Sequence, residues 1–255
     1  MKNEQNNFIE KQLNRRSERN LNKEKIISKE DVQLFKDVVS SAPTSKNGQG
    51  ATAIFIQDKD MIAKIAKWNW NQVHITQAQL VVLFVGDMNR VKYIFEKNGN
   101  PEWELNEGNF HELLLIGAVD ATIKGQALTD AALSKGMGSC YIGGVRTFPE
   151  KLIEELELPP FVIPIVGLTV GYPDTQEEIK PKLNTVYDEK YNNEQMKEEV
   201  DAYDEVMSKY FTNRGRNRKD ITWSADIAYA YQTFFDKDLY GEQYKLMKRK
   251  YKGNK

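Results

Sequence analysis

The chain has 255 residues, room for one sizeable domain with an appendage, and its 36 Lys and Arg nearly balance 37 Asp and Glu for a formal net charge of -1. That balance supplies no field to draw the whole protein onto nucleic acid or an anionic membrane, so any anion site must come from a local cluster. The single cysteine, Cys140, excludes an intramolecular disulfide and argues against a cysteine-based metal site, while the polar N-terminus and the absence of a long apolar run point away from secretion or membrane spanning and toward the cytoplasm.

In chain order, residues 15–19 (RRSER) bring Arg15, Arg16, Ser17 and Arg19 within about one helical turn. The run reads either as a solvated charge patch or as guanidinium forks and a hydroxyl around a phosphate. A helix is expected over 29–40, capped by Ser28. Residues 42–49 (APTSKNGQ) crowd Thr44, Ser45, Asn47 and Gln49 ahead of a strand at 52–57. An ordinary turn and a hydrogen-bonding loop for a planar heterocycle fit that segment equally well. Further apolar runs at 80–85, 139–142 and 164–170 complete four strands. Three of the four are too apolar on both faces to be half-exposed, which predicts a central sheet covered by helices on both sides.

Between the second and third strands, apolar residues of 110–135 nearly encircle a helix interrupted by Asp120, Lys124, Asp130 and Lys135. Such a helix belongs at a core or a subunit interface. The stretch GMGSCYIGG (136–144) contains a G-x-G, but it leaves a helix and enters a strand, the reverse of the order in a dinucleotide phosphate loop; Gly136 reads as a helix C-cap. The strand then ends in YIGGVR (141–146), where glycine lets a backbone N–H approach a ring closely. A short helix is expected at 149–156, with Pro149 in its first turn. Lys180 and Lys182 flank Pro181, each also readable as a plain surface charge. Beyond about 184 the chain becomes charged and aromatic, with a basic loop at 213–220 and then Trp223, Tyr229, Tyr231, Phe234, Phe235 and Tyr240, aromatics that need a surface to cover. His74 and His111 lie on different expected elements, with neither H-E-x-x-H nor G-x-S-x-G nearby, which weakens metallohydrolase and serine-hydrolase readings.

These stretches, in this order, resemble the FMN-dependent nitroreductase family and its NADPH:FMN oxidoreductase group. The likeness runs from about Leu13 to Trp223. It is carried by R-R-S-x-R, A-P-T-S-x-N-x-Q, N-Q-x-H-I at 71–75, G-D-M-N-R at 86–90, V-D-A at 119–121, the 136–146 block, G-L-x-V-G-Y-P at 167–173, I-K-P-K-L at 179–183 and T-W-S at 222–224. The resemblance implies the α+β nitroreductase fold: a central mixed sheet covered by helices on both faces, a long interface helix, and a C-terminal arm embracing the partner of a homodimer. Residues 1–183 would form the FMN-binding core and 184–255 a helical extension with a basic NADPH-binding loop at about 213–219.

By the same resemblance, Arg15, Arg16, Ser17 and Arg19 would hold the FMN phosphate and ribityl chain, joined by Lys180 and Lys182. Thr44, Ser45, Asn47, Gln49 and Gln72 would contact the flavin, and Tyr141, Ile142, Gly143 and Gly144 would lie against its ring, with the Gly143 N–H donating to N5. Arg146 and Gln72 would supply donors or charge near N1, and Arg214, Arg216 and Arg218 would meet the 2'-phosphate of NADPH. The protein would orient and the cofactor would carry the redox chemistry, in a ping-pong cycle from NADPH or NADH to free flavin, nitroaromatics, quinones or similar small acceptors. No metal, nucleic acid or membrane partner is expected. A non-catalytic FMN-binding or partner-binding dimer that retains the fold is the alternative. The chain departs from the family at Arg15, where histidine is common, at Lys182, where arginine is common, and at His74, where an aromatic near the flavin face is expected.

Overall fold

The computed structural model describes residues 2–175, 178–213 and 222–235, together with 245, 246 and 248. These form two compact units, one of residues 178–240 and the other of the residues before 178 and after 240.

The first unit is built on a four-stranded sheet, β1 (Ala51–Ile56), β2 (Leu80–Asp87), β3 (Gly138–Ile142) and β4 (Val162–Gly171), in the order β1-β2-β4-β3. The described pairings are all antiparallel, where a mixed sheet was expected. The order explains the burial: β2 and β4 are central and almost wholly buried, β1 and β3 are edges with partly exposed residues. Along β2 the side chains alternate between two cores. Leu80, Val82 and Phe84 join Leu168 and Val170 against α2 (Lys29–Ser41) and α6 (Glu107–Ser134). Val81, Leu83 and Val85 join Ile142 and Val162 against α3 (Lys59–Trp68), α4 (Val73–Thr76) and α7 (Pro149–Glu155). Helices therefore cover both faces, as the doubly apolar runs predicted. The β2–β4 register shifts at Phe84/Val85, and Pro164, which has no N–H for a ladder, sits opposite Val85 at that irregularity.

Several local expectations are met in atomic detail. The Ser28 side chain accepts from the Asp31 N–H at 3.0 Å, and Pro149 occupies the first turn of its helix. Gly136 follows the long helix with φ +71. There its N–H bonds the Leu133 carbonyl at 3.1 Å while the Met137 N–H bonds that of Ala132 at 2.9 Å, the paired closure that satisfies a helix C-terminus. Four further helices, α1 (Lys2–Leu13), α3, α4 and α5 (Asn89–Lys97), were not expected. For α3 the signal was present, since Asp58 caps it by accepting from Met61 N at 2.8 Å.

The helix α6 contacts all four strands. It turns Asp120 and Lys124 into the protein, while Leu115 (57 % exposed) and Val119 (45 %) face outward. No helix among the described residues is long and apolar enough to cross a membrane.

In the second unit, α8 (Asn193–Asn213) and α9 (Trp223–Phe235) pack through Met207, Tyr210 and Phe211, with Tyr203 edge-on to Trp223 at 5.0 Å between ring centroids. Part of the aromatic surplus of the tail thus covers its own small core. Thr222 caps α9 by accepting from Ala225 N at 3.2 Å, and Ser224 N donates to Asp204 at 2.7 Å, which gives the T-W-S run a local structural role.

Candidate functional site

Within the first unit the singled-out residues fall into two groups on opposite edges of the sheet. Three strand spacings, roughly 14 Å, separate the edges.

The larger group lies on the β3 edge. The segment after α1 is held along it: Glu18 N donates to Ser139 O at 2.9 Å, Leu21 N to the Gln77 side chain at 2.9 Å, and Asn22 N to Tyr172 O at 2.8 Å. Arg16 Nε donates to the buried carboxylate of Glu18 at 3.2 Å, which orients its guanidinium. Arg15 and Arg16 stand on one wall of a hollow of about 280 Å³ whose other wall includes Gly138 and Ser139. Burial pushes the neighbouring Cys140 thiol up, opposed by the charge of Arg19, a hydrogen bond with Ser17 and the charge of Arg15. Four cationic and hydroxyl groups thus converge on one strand, where a lone charge run would have dispersed into solvent.

Farther along β3, burial raises the Tyr141 phenol, whose ring packs against Gly125 and whose hydroxyl meets Thr129. Ile142 is buried. A Cβ on Gly143 would meet only Arg146 Nη2, at 3.7 Å, so this strand end is open. A Cβ on Gly144 would lie 2.1 Å from Asn69 Oδ1, so the backbone there is pressed against a buried side chain and no larger residue fits. Asn69 is 1 % exposed, its Nδ2 donates to Ile65 O at 2.8 Å, and its Oδ1 has no donor among the described residues. Arg146 Nη1 donates to Ile165 O at 2.8 Å, anchoring its guanidinium to β4. Gln72 stands beside this edge through His74, whose ring lies 3.1 Å from it and 3.2 Å from Thr169 Oγ1. His74, where an aromatic near the flavin face was expected, is 2 % exposed and so supports this edge from within the fold. Its imidazole is pulled from the ordinary 6.5 to about 4, chiefly by burial and then by the charge of Arg19.

The smaller group, Thr44, Ser45, Asn47 and Gln49, forms the loop before β1. Lys46, Asn47 and Gln49 all adopt positive φ, a conformation L-residues hold only when the surroundings impose it. The restraint is Asp120, fully buried on α6, whose two carboxylate oxygens accept from Ser45 N and Gly50 N, each at 2.9 Å. From the other side, Arg90 donates to Gln49 O and, at 2.9 Å, to Thr52 Oγ1, while pairing with Asp87 at 3.1 Å. Burial lowers the Lys124 ammonium, against the attraction of nearby Asp120. In the sequence Arg90 stands out only within the G-D-M-N-R motif, whereas Asp120 is marked as an acidic residue interrupting an apolar helix.

In the second unit Lys180 and Lys182 flank Pro181, whose carbonyl accepts from Tyr203 at 2.8 Å. Arg214, Arg216 and Arg218 lie outside the described residues.

Fold and edge together define an α+β protein with a cationic strand margin leading to a glycine-lined opening. The comparisons then name the family. Residues 13–111 match the Nitroreductase family, and residues 180–249 its C-terminal domain. The chain is 38 % identical over 213 residues to the FMN reductase [NAD(P)H] of Bacillus subtilis, covering 82 % of this chain and 85 % of that protein. Its fold matches NfrA2 of B. megaterium with a TM-score of 0.84 at 33 % identity, covering 96 % and 98 % of the two chains. It also matches the NADPH:FMN oxidoreductase of Vibrio harveyi, solved in complex with NAD+, with a TM-score of 0.77 at 28 % identity over 95 % and 100 %. The chain belongs to the nitroreductase family.

Proposed function

We propose that the protein is an FMN-dependent NAD(P)H oxidoreductase, a flavin reductase and nitroreductase acting on small electron acceptors. The observation that carries the reading is the β3 edge, where Arg15, Arg16, Ser17 and Arg19 converge at one end and Gly143 and Gly144 open the other. When bound, FMN supplies the hydride-accepting and hydride-donating centre. The residues fit it. Arg16 spends Nε on Glu18, which leaves its terminal nitrogens to fork onto a phosphate. Gly143 has no side chain, and among the described residues a Cβ there would meet only Arg146, so its backbone N–H suits the close approach of a planar ring. Arg146, fixed by Ile165 O, holds positive charge beside that opening.

The loop at 44–50 stands too far across the sheet to complete this edge in the same subunit. In a homodimer, the outward apolar residues of α6 supply a surface for a second copy, and the loop of one subunit completes the site of the other. Lys180 and Lys182 add charge to the phosphate, the extension from 184 forms the dimer arm, and Arg214, Arg216 and Arg218 meet the 2'-phosphate of NADPH. A cytoplasmic location is the reading that a relative named for NAD(P)H-dependent FMN reduction and a single buried thiol support. Replacing Arg19 with alanine, which spares the Arg16–Glu18 pair, tests the phosphate site. The folded protein is expected to lose most of its FMN on gel filtration; undiminished flavin content overturns the assignment.

A further inference from the structure

Three buried contacts tie His74 to the sheet and to Gln72. Thr169 Oγ1 donates to the Cys140 carbonyl at 3.1 Å, His74 Nδ1 lies 3.2 Å from that same Oγ1, and His74 Nε2 lies 3.1 Å from Gln72 Oε1. A hydroxyl has one proton to give and a carbonyl oxygen has none. With the Thr169 proton on Cys140, the Thr169 oxygen must accept from His74, and the ring proton is on Nδ1. A neutral ring then offers only a lone pair at Nε2, and an amide oxygen there would set two acceptors face to face. Turning the Gln72 amide over exchanges its oxygen and nitrogen, groups of nearly the same shape. All three contacts then become hydrogen bonds.

Two competing schemes do worse. With the proton on Nε2 the amide stays as placed and Thr169 donates to Nδ1, but its hydroxyl then turns a lone pair toward the Cys140 carbonyl 3.1 Å away; that carbonyl is already paired with Thr169 across the ladder, so the cost is one of the three contacts. A doubly protonated ring satisfies every contact, but burial and Arg19 hold this imidazole down at about 4, so it is neutral near pH 7.

We propose that His74 carries its proton on Nδ1 and accepts the Gln72 amide N–H at Nε2, so that Gln72 turns its carbonyl oxygen toward the flavin site and serves there as an acceptor. Gln72 itself is exposed, in contact with the buried ring. An acceptor there meets the donors FMN has, the ribityl hydroxyls and the ring N3–H, and not the electron-rich N1 edge. The donor role expected jointly of Gln72 and Arg146 then falls to Arg146. His74 is a positioning residue that sets the polarity of its neighbour.

The ligand half of this assignment rests on the proposed flavin site; the tautomer half does not. Histidine-selective ¹⁵N labelling of the FMN-loaded His111→Gln protein leaves His74 as the one labelled ring. The expected spectrum between pH 6.5 and 8 has a protonated Nδ1 and an unprotonated Nε2. A protonated Nε2 overturns the proposal. In Gln72→Leu the tautomer is expected to persist while the Nε2 resonance moves downfield on losing its bond; an unmoved resonance overturns the Gln72 contact. The same Gln72→Leu protein is expected to bind FMN about tenfold more weakly than the parent. Unchanged affinity would overturn the ligand half. The same spectra recorded without FMN report the tautomer even if the flavin reading fails.

Discussion

Replacing Asp120 with asparagine tests how the loop before β1 is held. The side chain keeps its volume, so no cavity opens, but one of its two acceptor oxygens becomes an NH₂. In the native protein Ser45 N and Gly50 N each donate to a separate carboxylate oxygen at 2.9 Å, and Asp120 is fully buried. A hydrogen bond to a charged group contributes about 1.5–3 kcal/mol, and a buried N–H left facing a donor adds a desolvation cost. The expected loss is therefore about 3 kcal/mol, a large fraction of the stability of an ordinary domain. The buried Lys124 ammonium also loses a favourable neighbour and falls further below its ordinary range. Urea unfolding at fixed protein concentration measures the loss, with flavin content as the functional readout. The control is Asp130→Asn on the same helix, whose carboxylate meets Gln126 at 2.8 Å near the surface and is expected to cost under about 1 kcal/mol. A loss below about 1 kcal/mol in Asp120→Asn, with FMN retained, would refute the claim that this carboxylate imposes the left-handed conformations at Lys46, Asn47 and Gln49.

Acid should destabilise the native protein partly through His74. The unfolded chain takes up a proton at this residue below 6.5 and the folded chain only near 4, so stability present above 6.5 is lost as pH falls toward 4. Between pH 7 and 5 this amounts to about 2 kcal/mol, or ~1–2 after allowance for solvent screening, and it should be absent in His74→Tyr; equal pH slopes in the two proteins would contradict it. Gly144→Ala is expected to destabilise the protein and deplete FMN because its Cβ meets Asn69 Oδ1 at 2.1 Å, with partial rescue by adding Asn69→Ala; absence of rescue in unfolding and flavin assays would place the conflict elsewhere. Replacing Arg214, Arg216 and Arg218 together should raise KM for NADPH at least tenfold more than KM for NADH in steady-state assays, and equal effects would remove the 2'-phosphate role.

Sequence patterns revealed the sheet because its signals are local and repeated: four apolar runs, a serine cap at Ser28, Pro149 in a first turn and Gly136 after a long helix all lie where the structure uses them. The helices α3 and α5 escaped because their apolar stripes are short and lie among charges, although Asp58 announces the first. The site was legible as a set of residue types but not as an arrangement. Nothing in the spacing of RRSER and APTSKNGQ reveals that β3 and β1 occupy opposite edges, since strand order is a long-range property. The supports were hidden for a similar reason. Asp120, Asn69 and Thr169 meet the distant partners named above across 29 to 95 positions of sequence, and nothing local to His74 reveals that its ring is buried.

The central claim is that this chain binds FMN and reduces it with a nicotinamide. Anaerobic stopped-flow mixing of the purified, FMN-loaded protein with NADPH, and separately with NADH, tests it most directly. The flavin absorbance is expected to bleach within the enzyme's turnover time, faster with NADPH, and to return when free FMN or a nitroaromatic acceptor is added. A chain that binds FMN yet leaves it oxidised with both nicotinamides would contradict the account and favour a non-catalytic flavin-binding dimer.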